Sequence, residues 1–150
     1  MEKVVIQETE QRLSMGYHRS ARVLIVEDDL TMEPLWKYVI ETAAPRASIK
    51  WVTTEEAAEK VIAHRLHMSE EFDLIIADIF LSGSRTGIDL WKRYGEGNTQ
   101  FLLMSAVSPP KFAKLVGEGE PTPFYVQKPL NPRACIETVS AMLSYGELIP

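Results

Sequence analysis

The stretch Arg22–Thr31, RVLIVEDDLT, decides how the rest of the chain is read. Four apolar residues, Val23 to Val26, run straight into three carboxylates, Glu27, Asp28 and Asp29. An apolar run this short and this rich in Val and Ile reads as a strand buried on both faces, as in a parallel sheet covered by helices. Neighbouring carboxylates disfavour one another's ionisation, and partial burial makes that worse. An Asp capping the start of a helix accounts for one of the three, not for all of them. The alternative is a cation seated among them.

Working outward, short apolar runs alternate with segments of helical period. ASIKWV is a weaker strand, expected at an edge; FDLIIAD, QFLLMSA and PFYVQ are the third to fifth strands. Between them lie DLTMEPLWKYVIETAA, with Leu35, Val39 and Ile40 on its inner face, and TTEEAAEKVIAHRLH, opened by Thr53 or Thr54 ahead of Glu56. TGIDLWKRYG is a short helix closed by Gly95, and PPKFAKLVG carries prolines in its first turn. NPRACIETVSAMLSYG is capped by Asn131, with Pro132 in the first position. Five strands alternating with five helices imply a parallel sheet covered on both faces, with right-handed crossovers. In such sheets ligands bind beyond the carboxyl ends of the strands.

Composition narrows the function. The 150 residues are 45% apolar and 25% charged, with a net charge of -5, which fits one soluble domain and argues against a nucleic-acid surface. No apolar run reaches the length of a membrane span. The N-terminal segment lacks the apolar core of a secretory signal, and the single Cys135 precludes an internal disulfide, so a cytoplasmic location is expected. The expected organisation is a flexible polar extension over 1–20, one domain over 21–146 and a tail over 147–150. His64 and His67 lie one helical turn apart with no third ligand near, and read as a solvated helix face.

The residues just past the strand ends are Asp28 and Asp29, Asp78, Ser105 and Lys128. With the first and third strands as neighbours, about 5 Å apart, the three aspartates share one pocket. Three carboxylates that close suit a hard divalent cation, and Mg²⁺ takes oxygen ligands. Lys128 would supply positive charge to a phosphoryl oxygen and Ser105 a hydroxyl to another. That leaves Asp78 as a nucleophile toward phosphorus, in a reaction that needs mainly position and charge neutralisation.

In this order, VEDD, LIIAD, LLMSA and YVQKP resemble the motifs of receiver domains of bacterial two-component response regulators, over Arg22 to Gly146. The resemblance implies a flavodoxin-like (CheY-like) doubly wound α/β fold, a five-stranded parallel sheet in the order 2-1-3-4-5 with five helices. It assigns Asp78 as phosphoacceptor and Asp28, Asp29, Asp78 and the backbone carbonyl of Phe80 to Mg²⁺. Ser105 takes the switch hydroxyl position, Tyr125 the aromatic switch position, and Lys128 binds the phosphoryl group, with a cis bond before Pro129. The implied partners are a sensor histidine kinase or a histidine phosphotransfer protein, and a downstream protein met by the fourth helix, fifth strand and fifth helix. Neither nucleic acid nor membrane is expected as a partner, and the protein is expected as a monomer or a phosphorylation-dependent dimer.

No output domain follows Gly146 in the sequence, so a stand-alone, non-enzymatic regulator is expected, its catalysis limited to its own phosphorylation and dephosphorylation. In receivers the positions two after the acceptor and two after the switch hydroxyl flank the attacking water; here they are Phe80 and Val107, neither able to orient one. The loop after Asp78, IFLSGSRTG, departs from the common Met-Pro form, and the segment before Tyr125 is rich in Pro and Gly.

Rival functions fit less well. A nucleotide- or flavin-binding module needs a Gly-rich turn after the first strand, where this chain is acidic. A haloacid-dehalogenase-like phosphohydrolase wants a second Asp at the position of Phe80. The remaining alternative is a degenerate receiver acting as a phosphorylation-independent interaction module, though such proteins lose an acidic residue or the lysine that this chain keeps.

Overall fold

The computed structural model describes residues 20–81, 86–119 and 121–148. The extension up to residue 19, the loop residues Ser82 and Gly83, and the last two residues of the tail therefore lie outside the described residues.

Five strands form one parallel sheet in the order β2-β1-β3-β4-β5: β1 Arg22–Val26, β2 Ser48–Val52, β3 Leu74–Asp78, β4 Gln100–Ser105 and β5 Phe124–Gln127. Five helices alternate with them: α1 Glu33–Ala43, α2 Glu55–His67, α3 Gly87–Tyr94, α4 Pro109–Val116 and α5 Pro132–Leu148. This is the CheY-like flavodoxin arrangement expected from the sequence. β1, β3 and β4 are buried on both faces, whereas β2 and β5 are edge strands with exposed positions.

Because side chains alternate across a strand, each central strand feeds two cores. Val23, Ile25, Leu74, Ile76, Leu102 and Met104 meet Trp36, Val39 and Ile40 of α1 and Cys135, Val139 and Met142 of α5. On the other face Leu24, Val26, Ile75, Ala77 and Leu103 meet Ala58 and Ile62 of α2, Ile88 and Leu90 of α3, and Phe112 and Val116 of α4. The two faces are closed by separate helix layers, so the strand ends are the places left for polar chemistry. No helix among the described residues is long and apolar enough to cross a membrane.

Local signals set the helix boundaries. The first helix does not start at Asp29: a 3-10 turn over Leu30–Met32 comes first, and α1 begins at Glu33 with Pro34 in its first turn. Trp36 joins Val39 and Ile40 as its buried side chains, and Leu35 packs only partly against that core. Thr54, not Thr53, caps α2, accepting from the Ala57 amide at 3.1 Å. Asn131 caps α5, accepting from the Ala134 amide at 3.0 Å. Ser108 caps α4, whose end at Gly117 needs glycine's freedom because φ there is 112°. His64 and His67 stand exposed on α2, as read from the sequence.

Gly95 does close α3, but for a steric reason. Its φ of -73° is right-handed, while a Cβ would lie 2.7 Å from the Trp91 indole. Gly87, the first residue of α3, is pressed onto the sheet: a Cβ there would collide with the carbonyl oxygen of Asp78 and lie 3.2 Å from the Ile79 Cα. Its amide donates to the Ile79 carbonyl at 3.2 Å. Since backbone rather than a flexible side chain blocks the space, Gly87→Ala should lower stability by about 1–3 kcal/mol, as overpacking does. A urea midpoint unchanged from the parent would contradict this close approach.

Candidate functional site

Strand register brings the polar residues together. Val26 pairs with Ala77, Asp78 with Met104, and Ser105 with Gln127, so Glu27, Asp78, Ser105 and Lys128 emerge at one edge of the sheet. Backbone bonds continue past the last ladder pairs: the Glu27 amide donates to the Val52 carbonyl at 3.0 Å, and the Lys128 amide to the Ser105 carbonyl at 2.7 Å. The Trp51 indole donates to the Glu27 carbonyl at 3.0 Å. The Lys128–Pro129 bond is cis.

Lys128 reaches back across two strands. Its Nζ donates to Asp78 Oδ2 at 2.5 Å and to Glu27 Oε1 at 2.8 Å. The other oxygen of Asp78, Oδ1, accepts from the Phe80 amide at 2.8 Å. Glu27 and Asp78 are buried, and Asp28 is exposed beside them. Carboxylate oxygens of these three residues all lie within 4.8 Å of one another, the one such group among the described residues. Glu27 Oε2 is buried without a hydrogen-bond partner.

The electrostatics follow from burial against pairing. Burial pushes the Glu27 carboxyl up to about 7, helped by the neighbouring Asp78 and opposed by the Lys128 hydrogen bond. Burial acts to lower the Lys128 ammonium, yet the hydrogen bonds and charges of Asp78 and Glu27 together outweigh it and hold it above its ordinary value.

The acidic cluster differs by one residue from the expected set of Asp28, Asp29 and Asp78. Asp29 is exposed and serves as the cap of the 3-10 turn, accepting from the Thr31 amide at 3.0 Å and the Thr31 hydroxyl at 2.6 Å. Those bonds lower its pKa. It stands outside the group, and Glu27 takes the place expected of it. The spacing Asp29-Leu30-Thr31 ahead of a helix is itself a cap signal, and weighing it would have moved the acidic pair to Glu27 and Asp28.

Ser105, also buried, is engaged on its other side. Its Oγ lies 2.6 Å from the Tyr125 hydroxyl and accepts from the Val107 amide at 3.2 Å. Tyr125 and Ser105 are thus in contact. Phe80 is half-exposed, and Val107 is partly buried against the α2–α4 core.

No family profile and no curated protein sequence matches the chain. Solved structures do. A signal receiver domain of an HD domain-containing protein from Pseudomonas fluorescens superposes with a TM-score of 0.68 at 20% identity, over 85% of this chain and 90% of that one. The fold is that of response-regulator receiver domains. A CheY-like receiver domain protein from Methanospirillum hungatei aligns at a TM-score of 0.61 and 23% identity, over 85% of this chain and 97% of that one. The BeF3-activated receiver domain of DrrB from Thermotoga maritima aligns at 0.63 and 22%, over 83% and 98%. In this chain the acidic cluster, Ser105 and Lys128 lie at the carboxyl edge of that sheet.

The raised pKa of Glu27 has a measurable consequence. Its folded value, about 7, lies above its ordinary 4.5, so the ionised form is disfavoured in the fold and stability is lost as pH rises between those values. In EDTA, Glu27→Gln should therefore gain on the parent from pH 4.5 to pH 7, by up to about 3 kcal/mol. Parallel pH profiles for the two proteins in chemical denaturation would refute it.

Proposed function

We propose that the chain is a phosphoacceptor receiver that takes a phosphoryl group on Asp78 in a Mg²⁺-dependent reaction and signals by binding other proteins. One observation carries this reading: a buried carboxylate at the end of the central strand, held by Lys128 beside two further acids. The donor would be a phosphohistidine of a kinase or phosphotransfer protein. The Asp78 carboxylate attacks phosphorus, the O–P bond of an acyl phosphate forms, and the P–N bond breaks with its electron pair left on the imidazole. Lys128 already contacts the acceptor and supplies the positive charge that a phosphoryl oxygen needs. Ser105 offers a hydroxyl to another oxygen, with Tyr125 as its partner.

The residues fit a divalent cation. All donors are hard oxygens, and the unpaired buried Oε2 of Glu27 is an atom a cation would satisfy. Glu27, Asp28 and Asp78 would hold it, with the Phe80 carbonyl as the further ligand the family resemblance implies. Bound Mg²⁺ supplies neutralisation of the charge on the transferred group. Output would pass through α4, β5 and α5, where Leu115 and Phe124 are exposed, with or without dimerisation. The degenerate-receiver alternative is disfavoured by the retained Asp78, Lys128 and acidic pair.

Acetyl phosphate with Mg²⁺ should add one phosphoryl mass to the intact protein, and Asp78→Asn should add none; equal labelling of both would sink the assignment. Mg²⁺ at about ten times its Kd should stabilise the protein by about 1.4 kcal/mol. Asp28→Ala and Glu27→Gln should remove most of that gain, while Asp29→Ala should keep it. A gain lost in Asp29→Ala and kept in the other two would restore the reading with Asp29 as a ligand.

Phe80 and Val107 flank the path of an attacking water and can neither orient nor activate it, so phospho-Asp78 should be long-lived. Phe80→Asn combined with Val107→Glu should release phosphate about tenfold faster or more, because positioning the nucleophile is a large part of such catalysis. Phosphate release no faster in the double variant than in the parent would show that the two side chains only pack.

A further inference from the structure

Phe112 lies within α4, is 1% exposed, and belongs to none of the residues that touch the reacting atoms. Its ring stacks on Tyr125 with centroids 4.0 Å apart and planes within 8°. Tyr125 stands on the edge strand β5 and is only partly buried, so this stack and the bonds of its hydroxyl together restrain its ring.

What the stack holds in place can be read by counting protons. The Tyr125 hydroxyl lies 2.6 Å from the Val107 carbonyl, 3.1 Å from the Ser105 carbonyl and 2.6 Å from Ser105 Oγ. Carbonyls only accept, so the one phenolic proton goes to a carbonyl, the nearer being that of Val107. Ser105 must then be the donor in its bond to Tyr125. Its only proton points at the phenol oxygen, and its own oxygen accepts from the Val107 amide at 3.2 Å. A phosphoryl oxygen on Asp78 would have to win that proton from Tyr125.

We infer that Phe112 is a positioning residue: by clamping the Tyr125 ring, it maintains a rival acceptor for the single Ser105 proton that a phosphoryl group on Asp78 would use. The clamp sits on a helix of eight residues between Ser108 and Gly117, so the placement of α4 and the availability of the Ser105 proton are one variable. The effect on phosphorylation rests on the phosphoacceptor reading above; the clamp itself does not.

The test separates the two. Phe112→Leu removes the stack while keeping an apolar side chain, and Phe112→Met serves where the leucine variant fails to fold by circular dichroism. In the unphosphorylated protein, a ¹³Cζ-tyrosine resonance assigned to Tyr125 by its loss in Tyr125→Phe should move toward that of the exposed Tyr38 when Phe112 is replaced. An unmoved resonance overturns the clamp. With acetyl phosphate, Phe112→Leu should label about three- to tenfold faster than the parent, the factor one hydrogen bond is worth. Tyr125→Phe, which keeps the ring and loses the hydroxyl, should match it, and adding Phe112→Leu to that background should change nothing more. The same acceleration in both backgrounds would mean plain packing and defeat the inference. A parent that takes no phosphoryl group would defeat the phosphoacceptor reading instead, with the carbon resonance still deciding on the clamp.

Discussion

The ammonium of Lys128 stands between two buried carboxylates, and the ends of three strands are arranged so that it can. Alone, Glu27 and Asp78 would repel each other in a setting that solvates neither well, and removing one partner of such a group is far costlier than the group is worth. With Lys128 at 2.8 and 2.5 Å, Oε1 of Glu27 and Oδ2 of Asp78 are satisfied. The pairing leaves one carboxylate oxygen over, Glu27 Oε2, the atom that the proposed cation would satisfy.

Geometry then follows from the sheet. Parallel strands carry their carboxyl ends to one edge, and β1, β3 and β5 contribute one charged residue each without any loop having to reach inward. The central position of β3 buries Asp78, while its neighbour on the other side, β4, supplies Ser105. Gly87 lets α3 lie directly on the Asp78 carbonyl, so Asp78 is held from its backbone as well as by its side-chain bonds. The two core faces are lined by apolar side chains and stay separate.

From Ser105 at this edge outward the contacts continue in a chain. Ser105 meets Tyr125, and Tyr125 stacks on Phe112 of α4. Each link is a distinct kind of force, a hydroxyl bond followed by an aromatic stack. Together they run from the edge where phosphoryl chemistry is proposed to the helix that borders the proposed output surface. A short helix capped by Ser108 and released by Gly117 is a reasonable terminus for such a chain, since few contacts outside Phe112 and Val116 bury it.

The alternation of buried runs with helical periods, as in VLIV and LIIA against the capped segments at Thr54 and Asn131, determined a parallel sheet covered on both faces, because period and capping are local properties; the strand order came only with the resemblance of the strand-end motifs to receiver domains. The identity of Asp78 and Lys128 as partners was legible too, since each follows a strand and a parallel sheet brings strand ends together. Which two of three consecutive acids join them was not. That depended on where β1 stops and the 3-10 turn begins: once Thr31 claims Asp29, the pair is Glu27 and Asp28. The stack of Phe112 on Tyr125 was likewise invisible, because it joins a helix to the next strand through ring orientation, and only tertiary packing sets the angle between two rings.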